Sequence, residues 1–360
     1  MSEHEKLKIS TYQIVWLVGA FAPVGLTSLP RELNEYTQQS GWMFALAASL
    51  LILLPIRLLV NLTSRYPQQN FASILESILG KFAGKFMMLI LSLYIIISTA
   101  FSIRIMTDGV ITYLLFHTPK WIIIAAALAV SVYAIHKGAK TIIRFNEFIQ
   151  PVLFMTFFAI FILVFNKSDF TNLLPLVSRE IQWRNGVLLS VYPFFHLLAL
   201  AFFFPFTANP KQLWNGAVWG TQIINFTFLI LFILNIGIFG STELNYIQHP
   251  GIEMARLIEL PILERMEIVF MTYWILYSFT LFIVGTYSGS VGLQQLFNRG
   301  PRSWWALAVG AVVYVLSLLP ENIDTVHQLE LLLNQVNAVM MFMFVPLLTL
   351  ADRIKKKARS

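Results

Sequence analysis

The sequence predicts an all-α integral membrane protein of ten transmembrane helices arranged as two halves of five. Three observations predict it. Of 360 residues, 57% are hydrophobic and only 12% charged, with a mean hydropathy of +0.71. A soluble domain is about 45–50% apolar and about 25% charged. Apolar runs near the roughly 20 residues that a spanning helix needs recur ten times along the chain. The first and sixth of these runs, five apart, are both broken by proline. Residues 1–360 thus form one permease-like domain with a short N-terminus, 1–10, and a basic tail, 351–360.

The first run, 11–30, holds the broken stretch "FAPVGLTSLP". The charges ahead of it lead to no short apolar stretch with a small-residue cleavage site, so no removable signal is expected. Runs at 41–62, 86–107, 121–136 and 145–165 complete the first half, with turn chemistry at Tyr66-Pro67, His117-Thr118-Pro119 and Lys137-Gly138. The second half opens with 186–206, which reads "VYPFFHLLALAFFFP" and carries Pro193. It continues with 213–240, 268–293, 304–319 and 329–350, separated at Asn209-Pro210, Arg299-Gly300-Pro301 and Pro320-Glu321-Asn322. The fourth and ninth runs are short.

An even number of helices puts both termini on one side. Most of the 25 Lys and Arg residues, among them Lys81, Lys85, Lys137, Lys140, Arg144 and the tail "RIKKKARS", fall on that side. The positive-inside rule makes it cytoplasmic. The tail reads as an anchor at anionic headgroups, with a protein contact the other reading. On the opposite side, the long loop "STELNYIQHPGIEMARLIELPILERMEIVF" alternates apolar residues with glutamates. It reads as an amphipathic helix along the membrane, or as a lid or subunit contact.

Proline removes a backbone donor and glycine tolerates angles that other residues avoid. In hydrocarbon, the freed groups must find partners or line a wet cavity. Interrupted helices at matching positions of two repeats mark the substrate site of many transporters. A plain kink is the other reading of either proline.

The stretches "GLTSLPREL", "FSIRIMTDGVITYLLFHTP", "LLPL", "ILERMEIVF" and "LLP" followed by an acid run in this order through nearly the whole chain. Together they resemble the spore germination receptor B-subunit (GerAB-type) family of the amino acid/polyamine/organocation transporter superfamily. The resemblance implies the leucine-transporter fold, a five-plus-five inverted repeat with broken helices 1 and 6. It implies a germinant pocket at the bilayer midplane between helices 1, 3, 6, 8 and 10. It also implies two partners in the spore inner membrane, a membrane-anchored A subunit and a lipoprotein C subunit. One departure is visible: where the family often has Pro-Glu at the end of helix 6, this chain has Pro205-Phe206.

Pro23, Val24 and Gly25 fall at the first break, and Gly25 leaves room for a ligand against its backbone or for tight helix packing. On helix 3, Tyr94, Ser98 and Phe101 share a face; Ser98 can bond a ligand or its own preceding turn. Phe195, His196 and Leu197 follow Pro193, and an intramembrane histidine is a functional candidate by default. Thr280, Val284 and Gly285 represent helix 8, with Tyr287 less central, and Asn337 is the amide of helix 10 at the right depth, either a ligand contact or interhelical glue. Glu147 reads as a partner of Arg144, or as a proton carrier. No cysteine, nucleotide loop, metal cluster or nucleophile-base set occurs, so no enzymatic chemistry, cofactor or nucleic acid is expected. A small neutral nutrient, an amino acid for preference and a sugar such as glucose as the alternative, suits these apolar and neutral side chains. An ion-coupled amino acid permease is the competing function.

Overall fold

Pro30 does not end the first crossing; it opens its second half. The computed structural model describes residues 9–357 apart from 24, 68, 195, 208 and 262–264 and the side chains at 323, 324 and 327. Helix 1 runs as Thr11–Gly19 and Leu29–Thr37 with non-helical chain between. Proline in a helix's first turn lacks only a donor that would have no intrahelical partner anyway, so the helix restarts there. At the other end Ser10 and Gln13 form a capping box, each side chain bonded to the other's backbone N–H at 3.2 and 3.1 Å.

Helix 2 follows as Gly41–Leu51 and Leu53–Thr63 after a reversal at Gln38, φ 48°. Helix 3, Lys81–Tyr113, is longer at both ends than its apolar run. Helices 4, Lys120–His136, and 5, Ala139–Phe165, close the first half. Helix 6 keeps α geometry only over Trp183–Ser190 and then proceeds as 3₁₀ turns at Tyr192–Phe194, Leu197–Phe202 and Phe204–Phe206. The expected break at Pro193 is thus a change of helix type, a geometry that often marks a functional hinge. Helices 7, Pro210–Leu244, 8, Met266–Phe297, and 9, Arg302–Leu318, lead to helix 10. Helix 10 is Ile323–Val339, a π turn at Met340–Phe344, and Val345–Lys357. Helices 2, 3, 5, 6, 7, 8 and 10 each lie in a segment long and apolar enough to cross a bilayer, and helices 4 and 9 are shorter apolar helices.

Helix 3 packs along helix 8, and helix 7 along the first half of helix 1. Small residues set the first of these contacts. A Cβ at Gly285, Gly289 or Gly292 would lie 2.2, 2.7 or 2.3 Å from Thr99, Ile96 or Ser92, so these backbones meet only because helix 8 has no side chains there. The end bearing the termini is fastened by polar contacts. Arg65 Nη1 lies 2.6 Å from Asp352 Oδ2, the Tyr66 hydroxyl donates to Asp352 Oδ1, and Lys355 Nζ donates to the Ser77 carbonyl at 2.7 Å. The Ile9 N–H donates to the Phe206 carbonyl at 2.9 Å, joining the start of helix 1 to the end of helix 6. Glu147 accepts from Gln13 Nε2 at 2.8 Å rather than from Arg144. The short side chain of Gln13 reaches it because helix 1 and helix 5 pack side by side.

The long loop at the opposite end forms Pro250–Arg256. Pro250, Gly251, Ile252, Met254 and Ala255 are buried against helices 1 and 8, and the Gly251 N–H reaches the Thr27 carbonyl at 3.4 Å. The loop packs over the second half of helix 1.

Candidate functional site at the two broken helices

Between Gly19 and Leu29 the backbone makes short turns: Ala22 N–H bonds the Gly19 carbonyl at 3.2 Å, and Leu29 N–H bonds the Gly25 carbonyl at 2.9 Å. Gly25 has φ +90°, a region that L side chains rarely enter. Its missing side chain matters as much as its angle. A Cβ here would sit 2.9 Å from Cε1 of Tyr192, so the ring of the helix 6 break rests directly on the backbone of the helix 1 break.

The carbonyls freed by the break have partners on helix 8. The indole Nε1 of Trp274 donates to Pro23 O at 3.0 Å, and the Tyr277 hydroxyl donates to Gly19 O at 2.8 Å. Gly109 on helix 3 admits the indole, since a Cβ there would lie 2.7 Å from its ring. Thr280 accepts from Gln150 Nε2 at 2.9 Å and donates to the Tyr277 carbonyl at 2.6 Å, tying helix 5 to helix 8 behind the break.

Helix 10 supplies Glu330, Asn334 and Asn337 at spacings of four and three, one face of a helix. The Tyr192 hydroxyl donates to the Glu330 carboxylate. Asn334 Nδ2 donates to the Leu188 carbonyl at 2.8 Å, and Asn337 Oδ1 accepts from the Tyr94 hydroxyl at 3.1 Å. This face binds the α segment of helix 6, the start of its 3₁₀ stretch, and helix 3.

Pro23, Gly25 and Thr280 therefore lie at or behind the helix 1 break, while Tyr94 and Asn337 bond each other between helices 3 and 10. Ser98 bonds back to the Ile95 carbonyl of its own helix at 3.0 Å, and Gly285 serves the contact with Thr99. Phe101, Leu197, Val284 and His196 are all buried in the core of the bundle. Val24 and Phe195 lie outside the described residues. Sequence reasoning missed Tyr192, Trp274, Tyr277, Gln150 and Glu330. Glu330 had a signal, being an acid at the rim of an apolar run.

Beyond the break, at the end opposite the termini, a cleft of 310 Å³ is lined by Ser28, Arg31, Glu32, Ile105, Asp108, Tyr246, Gln248, His249, Val326 and Glu330. Asp108 is already neutralised, with Arg104 Nε at 2.8 Å and Lys120 Nζ at 3.1 Å. His249 stacks edge-on against Tyr113, with centroids 5.7 Å apart, and its Nδ1 is buried without a hydrogen-bond partner. Burial, reinforced by nearby Arg31 and opposed by Asp108, pushes the imidazole down to about 4.

The unfolded chain therefore takes up this proton before the folded one does. The neutral histidine's contribution is whole above its ordinary value of 6.5 and is lost as pH falls from there toward 4. Arg31, Glu32, Asp108, Tyr113, Tyr246 and Glu330 also face this region. We expect the melting temperature of the purified protein to fall across that interval, and to fall less in His249→Gln. An equal fall in both would assign the effect to the neighbouring carboxylates.

The whole chain has relatives of known association. The family model described as "Spore germination protein" matches residues 8–326. Spore germination protein YndE of Bacillus subtilis (strain 168) is 28% identical over 348 residues, 95% of each chain. Spore germination protein GerQB of Bacillus cereus is 21% identical over 98% of each. Among solved structures, the nucleobase-cation-symport-1 family transporter Mhp1, closed on bromovinylhydantoin, superposes with a TM-score of 0.72 at 11% identity, over 96% of this chain and 78% of that one. MhsT in complex with L-phenylalanine gives 0.64 at 15%, over 96% and 88%. The structural matches bear on the fold alone, and it is the leucine-transporter fold with broken helices 1 and 6. Family and neighbours are membrane germination and transport proteins, not enzymes. The chain is a multi-pass membrane protein and belongs to the spore germination protein family.

Proposed function

We propose that this chain is the membrane subunit of a nutrient-germinant receptor, acting in the spore inner membrane with an A subunit and a lipoprotein C subunit. It binds a small neutral nutrient, an amino acid for preference, where helices 1 and 6 are interrupted, near the bilayer midplane, and binding triggers germination. The observation that carries this reading is the meeting of the two breaks at Gly25 and Tyr192, next to an open cleft. Ligand arriving there can shift both interrupted helices, whose geometry is least fixed by their own hydrogen bonds.

The test has two parts. Purified protein is titrated with L-alanine, L-valine, L-leucine, L-lysine and L-glutamate. Spores lacking this gene and its paralogues are scored for germination with and without the gene restored. Binding of a neutral amino acid with restored germination supports the reading, and preference for lysine or glutamate overturns the ligand class. The transport fold favours a second reading, an ion-coupled permease, since one matched structure is a Na⁺-coupled sialic acid symporter with a TM-score of 0.62. Accumulation of labelled amino acid in vesicles only under an ion gradient would support it.

A further inference from the structure

The carbonyl of Gly19 loses its α-helical partner for a chemical reason. That partner would be the N–H four residues on, and the residue there is Pro23, which has none. Pro23 O, one turn later, lies in the non-helical stretch itself. In transporters with interrupted helices, unwound carbonyls of this kind coordinate the sodium ion that couples to substrate. Here helix 8 meets them with two donors that are also one turn apart, Tyr277 and Trp274.

A carbonyl oxygen has two lone pairs. Gly19 O accepts from the Tyr277 hydroxyl at 2.8 Å and from Ala22 N–H at 3.2 Å, and Pro23 O accepts from the Trp274 indole at 3.0 Å and faces Leu26 N–H at 3.5 Å. Both donors are held by packing. The indole fits against Gly109 of helix 3, and the Tyr277 ring lies 5.8 Å from Tyr273, which stacks on Phe157 of helix 5 at 5.2 Å. A Cβ at Gly19 would lie 3.2 Å from Gln150 Oε1, so an amide of helix 5 rests against the same turn, its Nε2 engaged with Thr280. Gln150, Trp274, Tyr277 and Thr280 are buried and carry no charge. A metal cation drawn among them would lose its water without gaining a counter-charge.

We propose that Trp274 and Tyr277 take the place of a coupling cation: their N–H and O–H hold the helix 1 break in the form that receives the nutrient, and binding needs no co-bound sodium or potassium ion. The proposal rests on the reading that the nutrient meets the chain at the breaks, and it adds what keeps that site in shape. It also separates the two functions weighed above, because a sodium-driven permease requires a sodium site and a receptor requires none.

The experiment uses the full chain in lipid nanodiscs, in sodium, potassium or choline chloride at one ionic strength. The first measurement is the melting temperature without nutrient. An ion that binds only the folded protein raises it with concentration. The unaltered protein is expected to melt at one temperature in all three salts, and a rise with sodium or potassium concentration overturns the proposal. The second measurement is equilibrium binding of L-alanine, L-valine and L-leucine. For whichever binds, affinities are expected to agree within about twofold among the salts, and a larger loss in choline overturns the proposal.

Tyr277→Phe keeps the ring and removes the donor to Gly19 O. Measured well below its melting temperature, where the variant is folded, it should bind the same amino acid at least about fivefold more weakly. Tyr273→Phe removes a neighbouring buried hydroxyl that makes no hydrogen bond among the described residues and should bind normally. Normal binding by Tyr277→Phe, or an equal loss in Tyr273→Phe, overturns the positioning role. Absence of amino acid binding by the unaltered protein overturns the reading of the ligand instead, and the melting temperatures still decide for or against a cation at the break.

Discussion

Gly25→Leu is expected to abolish the response to nutrient while the protein remains in the membrane at its normal level. Two effects combine at this residue. A side chain at φ +90° strains the backbone, and its Cβ would lie 2.9 Å from the Tyr192 ring. Strain of this kind costs about 1–3 kcal/mol, against a folding stability of about 5–15 kcal/mol. The fold survives, but the contact between the two breaks does not. Tyr192 cannot simply swing away, because its hydroxyl is held by Glu330. Gly25→Ala should reduce the response less. The measurement pairs membrane abundance with germinant binding. A parallel fall in both would make Gly25 a packing position, and a normal response would remove it from the site.

Trp274→Phe is the second large effect, expected to destabilise the protein by about 1–3 kcal/mol through a buried carbonyl left without its donor. Trp274→Ala should cost about 3–5 kcal/mol as the indole's volume is also lost. The comparison with Tyr277→Phe is the informative one. Gly19 O, which Tyr277 serves, also accepts from Ala22 N–H at 3.2 Å, whereas Pro23 O has only a long contact of 3.5 Å from Leu26 N–H. Loss of the indole donor therefore leaves the poorer substitute. Thermal unfolding of the two variants should rank Trp274→Phe below Tyr277→Phe, and the reverse order would show that the Pro23 carbonyl finds another donor.

The ten spans could be read from hydropathy, and both breaks from proline and glycine, because these signals are local. The limits of helix 1 could not be read in the same way. Proline stops a helix or starts one according to position, and Pro30 starts one. Polar candidates on helices 3, 8 and 10 were found by depth and periodicity, yet periodicity is silent on partners: nothing local says that Ser98 bonds its own turn while Asn337 bonds Tyr94. The donors to the broken backbone stayed hidden because Trp274 and Tyr277 look like ordinary aromatic residues in an apolar helix rich in them. Arg31, Glu32 and Glu330 were hidden for the opposite reason. At the edges of apolar runs they look like interfacial charges, and only the packing of helices 1, 3 and 10 around one cleft makes them face each other.

The π turn at Met340–Phe344 divides helix 10 into two parts with different attachments. Beyond it, Asp352 and Lys355 pin the terminal segment to Arg65, Tyr66 and the Ser77 carbonyl. Before it lie Glu330, Asn334 and Asn337. A π turn accommodates one surplus residue, and if that surplus migrates along the helix, the segment it passes rotates by about 100° and advances about 1.5 Å per residue. Helix 10 thus has a torsional slip joint between a bolted foot and a working head. Rotation of the head would carry Glu330 away from Tyr192 without loosening the clamp below, so a signal originating at the breaks need not disturb the anchored end of the bundle.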